Sequence, residues 1–146
     1  MAKVIETKII IQASAESIWA ILTDFKSYPK WNPFITSLRG EVAVGNRIRM
    51  RLEPPNATAM TFTPKILTKI DQKEFSWQGH LFIKGLFDGR HKFEIVDNGN
   101  QTCTFVHSEQ FNGLLIPLLS SMLDKNTKEG FIAMNLKLKE LAEAKN

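Results

Sequence analysis

Residues 101–143 read QTCTFVHSEQFNGLLIPLLSSMLDKNTKEGFIAMNLKLKELAE, and their period changes once. As far as Phe111 the apolar residues alternate, which is the pattern of a half-buried strand. Cys103, Phe105, His107, Glu109 and Phe111 share one face, and Thr102, Thr104, Val106, Ser108 and Gln110 share the other. Beyond Gly113 the period becomes helical. Pro117 suits a first helical turn, and Leu123, Thr127, Gly130, Met134, Leu138 and Leu141 then step along one stripe to about residue 143. At 1.5 Å per residue such a helix is roughly 40 Å long. It buries that stripe only by lying across a sheet. Thr127 and Gly130 are small, so the middle of the helix is expected to leave room above the sheet.

Strands are expected near 36–44, 47–53, 58–70, 73–83 and 87–97, ahead of the strand already quoted. Pro54-Pro55 and Asn98-Gly99 mark turns, and Pro64 calls for an edge position or a bulge. Phe75, Trp77, Gly79 and Leu81 alternate on one inward face. Phe87, Gly89, His91, Phe93 and Ile95 do so on the next. VIETKIIIQA has the β-branched richness of a first strand. Ser14 then caps a short amphipathic helix carrying Ile18, Trp19, Leu22 and Phe25. Pro29 and Pro33 forbid its smooth continuation. A broken helical segment anchored by Tyr28, Trp31 and Phe34 is expected, acting as a lid near one end of a cavity. The order is strand, two short helices, antiparallel meander and long C-terminal helix. This is an α+β arrangement in which a curved sheet grips a helix.

Composition narrows the class. A chain of 146 residues, 43% hydrophobic and 23% charged, fits one globular domain over 1–146 with a sizeable core. The single cysteine, Cys103, rules out a disulfide within the chain and suits a reducing compartment. The N-terminal residues lack the apolar run of a secretory signal, and no stretch approaches the roughly 18 apolar residues of a spanning helix. A cytoplasmic location without stable membrane insertion is expected. The net charge of +4 includes Arg47, Arg49 and Arg51, which alternate onto one strand face. A solvated outer face explains them, and no nucleic-acid motif accompanies them. The sequence holds no Gly-rich phosphate loop, CxxC, HExxH or GxSxG, so no cofactor is expected.

The stretch IIIQASAESIWAILTDFKSYPKWNPFI, with its Trp19, Asp24, Tyr28, Trp31, Asn32, Pro33 constellation, resembles the N-terminal signature of the START-like (SRPBCC) superfamily, especially its polyketide cyclase/dehydrase branch. GRHKFEIVDNGNQTCTFVHSEQFNGLL resembles the same branch. The resemblance implies the helix-grip fold, with an elongated cavity between the sheet and the long helix. It implies a small hydrophobic or polyketide-like ligand, lipids included, and no single reaction, because the superfamily spans carriers, receptors and cyclases.

The inward polar residues are the candidates for chemistry. A three-residue loop, 98–100, keeps strand parity and sets His91 opposite His107, Phe93 opposite Phe105, and Gly89 opposite Glu109. A loop of the same length over 84–86 pairs Trp77 with Phe93 and Gly79 with His91. His91, His107 and Glu109 then cluster on the concave face, where an unpaired carboxylate would cost several kcal/mol. Three readings stay open: a polar patch orienting a ligand, acid–base catalysis by His91 or His107 with Glu109 as orienter, and a two-histidine, one-carboxylate metal site. The expected ligand-binding set is Trp77, Gly79, His91, Phe93, Phe105, His107, Glu109, Phe111, Trp31, Gly130 and Met134. Ligand binding is the leading function, a cyclase/dehydratase-like enzyme the second, and a protein-interaction module the third. A cavity filled by side chains favours the last.

Overall fold

The computed structural model describes residues 2–81 and 83–144. Strand β1 (Ala2–Ile11) leads into helix α1 (Ala15–Thr23), whose first turn is capped by Ser14 accepting from the Ser17 amide at 3.1 Å. A 3-10 turn (Phe25–Ser27) and a one-turn helix α2 (Tyr28–Trp31) follow, as the two prolines require. The Tyr28 hydroxyl, wholly buried, donates to the Leu22 carbonyl at 2.5 Å and pins this break.

Strands β2 (Ile35–Arg39), β3 (Arg49–Leu52), β4 (Met60–Phe62), β5 (Lys65–Ile70), β6 (Glu74–Leu81), β7 (Phe87–Asp97) and β8 (Cys103–Asn112) complete the meander. They form two sheets, β1-β8-β7-β6-β5 and β2-β3-β4. The single strand expected over 58–70 divides at Pro64, which has no amide to give the ladder. The expected strand 73–83 ends at Leu81, and Phe82 lies outside the described residues. Arg47, Arg49 and Arg51 are exposed, as expected of an outer face.

The C-terminal helix runs over 116–144 as α3 (Ile116–Met122), a π-helical turn (Leu123–Thr127) and α4 (Lys128–Ala144). The π turn is tied down at both sides. Lys3 pairs with Asp124 at 2.7 Å, and Asn126 Nδ2 donates to the Pro55 carbonyl at 2.9 Å. Leu123, Thr127, Gly130, Met134 and Leu138 are buried as the stripe predicts. Among the described residues no helix is long and apolar enough to cross a membrane.

The strand faces follow the predicted parity, but both hairpin registers differ by two residues. Asp97 pairs with Cys103, so the β7–β8 loop is 98–102. Gly99 and Gln101 both take positive φ there, and the Asn98 amide spans to the Thr102 and Thr104 hydroxyls at 3.1 Å each. This side-chain network holds the wider loop. Leu81 pairs with Phe87 in the same way, placing Trp77 opposite His91 and Gly79 opposite Gly89. The pairing partners are therefore His91 with Glu109, Phe93 with His107, Ile95 with Phe105 and Gly89 with Phe111. Because the shift is even, no side chain changes face.

Candidate functional site

His91 and His107 are diagonal neighbours across β7 and β8 rather than direct ones, and their rings meet all the same. His91 Nε2 lies 2.7 Å from His107 Nε2, and His91 Nδ1 lies 2.9 Å from Glu109 Oε1. The chain continues on the other side. His107 Nδ1 is 2.9 Å from Asn135 Oδ1, Asn135 Nδ2 donates to Thr7 Oγ1 at 2.8 Å, and the Thr7 hydroxyl donates to the His107 carbonyl at 3.3 Å. One hydrogen-bonded series thus joins β1, β7, β8 and α4.

Aromatic faces clamp both imidazoles. Trp77 stacks on His91 with centroids 4.6 Å apart and planes 8° from parallel, and Phe131 stacks on His107 at 4.0 Å and 8°. Both histidines are buried, and 12% of the Glu109 side chain is exposed. Burial alone lowers His91 to about 3. It also lowers His107 well below the usual range, with His91 as a second cause. The same desolvation raises Glu109 to about 8. All three shifts point to neutral rings and a carboxyl that keeps its proton at pH 7.

The donors run head to tail instead of converging, so each nitrogen is engaged by its neighbour and no shared point faces all three. Among the described residues no group of His, Cys, Asp and Glu is arranged to hold a metal ion.

Glu109 opens onto a slot lined by Met50 and Leu52 of β3, Phe62 of β4, Pro64, Trp77, Gly79, Phe87, Gly89 and His91. His91 and Glu109 are the ionisable side chains in that wall. The two glycines have separate uses. A Cβ on Gly89 would stand 2.3 Å from Glu109 Oε2, so the missing side chain is the space the carboxyl occupies. A Cβ on Gly79 would meet Pro64 at 3.0 Å, so that glycine admits the proline which closes the wall. The slot offers only about 20 Å³ to the centre of a water-sized sphere, enough for about one water.

Of the residues expected to bind ligand, Trp77, Gly79, His91 and Glu109 line this slot. His107, Phe93, Phe105, Phe111 and Met134 are buried behind it in the core. Trp31 packs edge-on against Tyr28 and is not among the residues that line the slot. The expected room under Gly130 is filled. A Cβ there would come within 2.4 Å of Phe34 Cδ1, so the glycine lets the Phe34 ring approach the helix. That ring then packs on Phe131 at 5.4 Å and lies 6.5 Å from His91. The open space is displaced towards β3 and β4 in consequence, and those strands cover it rather than residues 28–34.

Sequence reasoning missed Asn135 and Thr7, and both left a trace. Thr7 falls on the buried face of β1 between Ile5 and Ile11, and Asn135 lies one turn from Phe131 and Leu138 on the buried helical face. Each is a polar residue at a core position. Phe87 shares the inward face predicted for its strand, while Met50, Leu52 and Phe62 carry no sequence signal of the slot, because nothing in a single strand tells which sheet it will face.

A family model described as polyketide cyclase/dehydrase and lipid transport matches residues 1–143. No curated protein sequence matches. Solved structures match at low identity. A START superfamily protein from Mycobacterium smegmatis is 20% identical, with TM-score 0.76 over 98% of this chain and 99% of that one. The ZhuI aromatase/cyclase from Streptomyces sp. R1128 is 14% identical, with TM-score 0.79 over 100% and 97%. Norcoclaurine synthase from Thalictrum flavum, in complex with dopamine and hydroxybenzaldehyde, is 17% identical, with TM-score 0.76 over 100% and 89%.

Proposed function

The chain belongs to the polyketide cyclase/dehydrase and lipid transport family, and from that premise we propose that it binds a small, largely apolar molecule in the slot, with a carbonyl or hydroxyl of the ligand set against Glu109. The observation that carries this reading is the Glu109 carboxyl, seated over Gly89 at the mouth of an otherwise aromatic and aliphatic wall. A carboxyl placed there for packing alone would incur a desolvation cost that a leucine avoids. The complexes of norcoclaurine synthase with two small aromatic molecules lend support by likeness of fold.

Ligand pockets run to about 300–1,000 Å³, so binding requires β3 and β4 to move off the main sheet. β2-β3-β4 is a sheet of its own, and backbone hydrogen bonds between residues 45–48 and 64–66 tie it to the main sheet, which sets the hinge of such a movement there. The closed slot is the observation on the side of the protein-interaction reading, and whether the slot opens for a ligand separates the two. Native mass spectrometry of freshly purified protein tests the proposal. A bound small molecule released on denaturation is expected. Uniformly empty protein that also fails to bind an uncharged apolar dye such as 1-aminoanthracene would refute it.

One observation favours a second reading, acid–base catalysis: the series from Glu109 to His107 is unbroken. Glu109 Oε2 would take a proton from the carbon beside a ligand carbonyl, leaving an enolate. The Oε1 proton would pass to His91 Nδ1 and the His91 Nε2 proton to His107 Nε2. His107 would then carry the positive charge, which burial and His91 oppose and which the hydrogen bond to Asn135 Oδ1 and the Phe131 face offset in part. Faster α-deuteration of 2-tetralone in D2O with the protein present, lost in Glu109→Gln, is the expected result. A rate equal to that of buffer would exclude this reading and leave binding intact.

A further inference from the structure

The series of hydrogen bonds has a direction, and one residue far from the slot fixes it. The Thr7 hydroxyl has a single proton, and its contact with the His107 carbonyl uses it, since a carbonyl only accepts. Thr7 Oγ1 must therefore accept from Asn135, which turns the Asn135 amide nitrogen to Thr7 and its oxygen to His107. An amide oxygen also only accepts, so His107 carries its proton on Nδ1. In a neutral ring its Nε2 is then bare and takes the proton of His91 Nε2, 2.7 Å away. His91 Nδ1 is bare in turn and takes its hydrogen bond from Glu109 Oε1, 2.9 Å away. The carboxyl proton is committed to Oε1, and Oε2, over Gly89, has none. If that last proton moves across to His91, Oε2 is still an acceptor.

Reversal would change this. With His107 protonated on Nε2, His91 would present Nδ1–H to Oε1, and a neutral carboxyl would carry its proton on Oε2, facing the slot. Such a site would hold carbonyl compounds.

We infer that the site selects a hydrogen-bond donor on its ligand, a hydroxyl of the phenol or enol kind, and that Asn135 makes the selection by fixing the order of protons along the series. This rests on the reading of the slot as a ligand site and narrows the ligand's polar group to one class. Asn135 is a positioning residue, because it touches the slot at no point and acts through His107 and His91.

The test pairs two probes with one spectroscopic signature. Nitrogen-15 NMR of the histidine rings in the unmodified protein near pH 7 should find the His107 proton on Nδ1 and a proton on His91 Nε2. Phenol should bind about ten-fold more tightly than anisole, which has the same ring and no donor. In Asn135→Leu the His107 proton should move to Nε2 and the phenol preference should fall to less than about three-fold. Phenol and anisole binding equally well would overturn the inference and leave the ligand site standing. Failure of both probes to bind would take down the site together with the inference. A His107 proton found on Nε2 in the unmodified protein would overturn the inference whatever the probes do. If Asn135→Leu does not fold, the ring protons and the probe ratio of the unmodified protein decide the matter.

Discussion

A neutral imidazole carries one proton, and His91 has hydrogen-bonding neighbours on both nitrogens, so one of them must supply the other proton. Glu109 supplies it, which makes the trio uncharged as a whole and gives it a distinct pH dependence. In the unfolded chain Glu109 would titrate near 4.5 and His91 and His107 near 6.5. Folding raises the first to about 8 and lowers the histidines. Between about 3 and 6.5 the unfolded chain binds more protons at the histidines, so stability rises with pH. Above 6.5 the histidines match in both states while the folded carboxyl alone keeps its proton, so stability falls as pH climbs to about 8. Denaturant titrations from pH 5 to 9 should find a maximum near pH 6.5 and a decline on the order of 1 kcal/mol per pH unit above it. Glu109→Gln donates to His91 Nδ1 with an amide proton that does not titrate, so it should fold and lose the decline. A variant with the decline intact would mean that Glu109 is not its source. Replacing His107 with Phe should keep the fold and weaken a polar-headed ligand by about 1–3 kcal/mol in calorimetry, because the Glu109–His91 unit loses its acceptor and its alignment. Unchanged affinity would detach the histidines from the site.

Among the elements, the long helix and the β7–β8 hairpin were legible in the sequence, and the register was not. Period alone placed His91, His107, Phe93 and Phe105 inward, because a strand has only two faces. Strand parity allows a loop of three residues or of five, and the shorter is the expectation, whereas the wider loop is held by Asn98, Thr102 and Thr104 bonding across it. Those are contacts between short side chains four and six residues apart, which no dipeptide signals. Gly130 misled for a related reason. A small residue on a helix reads as space, yet space is claimed by whichever distant ring reaches it, here Phe34. Gly130→Ala should therefore destabilise the protein by about 1–3 kcal/mol, the range for overpacking, in spite of alanine's better helix propensity. A more stable variant would mean that the Phe34 ring is free to move aside. The three-stranded sheet makes the complementary prediction. If β3 and β4 open to admit ligand, the amides of Arg49–Leu52 and Met60–Phe62 should exchange hydrogen faster than those of Phe93 and His107, and should slow when ligand binds. Exchange as slow as in β7 and β8 would leave the slot without a door.

Taken whole, the molecule is a curved sheet gripping a helix, with a polar series threaded through the contact between them and ending at a slot under the smaller sheet. Sequence resemblance supplied the grip, and strand parity supplied the polar trio. The small residues Thr127 and Gly130 placed the open space beneath the helix, one turn from Met134, whereas the structure sets it against Met50. The chain's methionines separate these two placements, since Met50 lines the slot, Met134 is buried behind it and Met122 lies in α3. Titrating phenol into protein labelled with carbon-13 at the methionine methyls measures the difference directly. The Met50 methyl should shift progressively to saturation while Met122 and Met134 stay in place. A shift at Met134 with Met50 unmoved, or equal small drifts at all of them, would contradict a ligand site built on Glu109 and closed by β3 and β4.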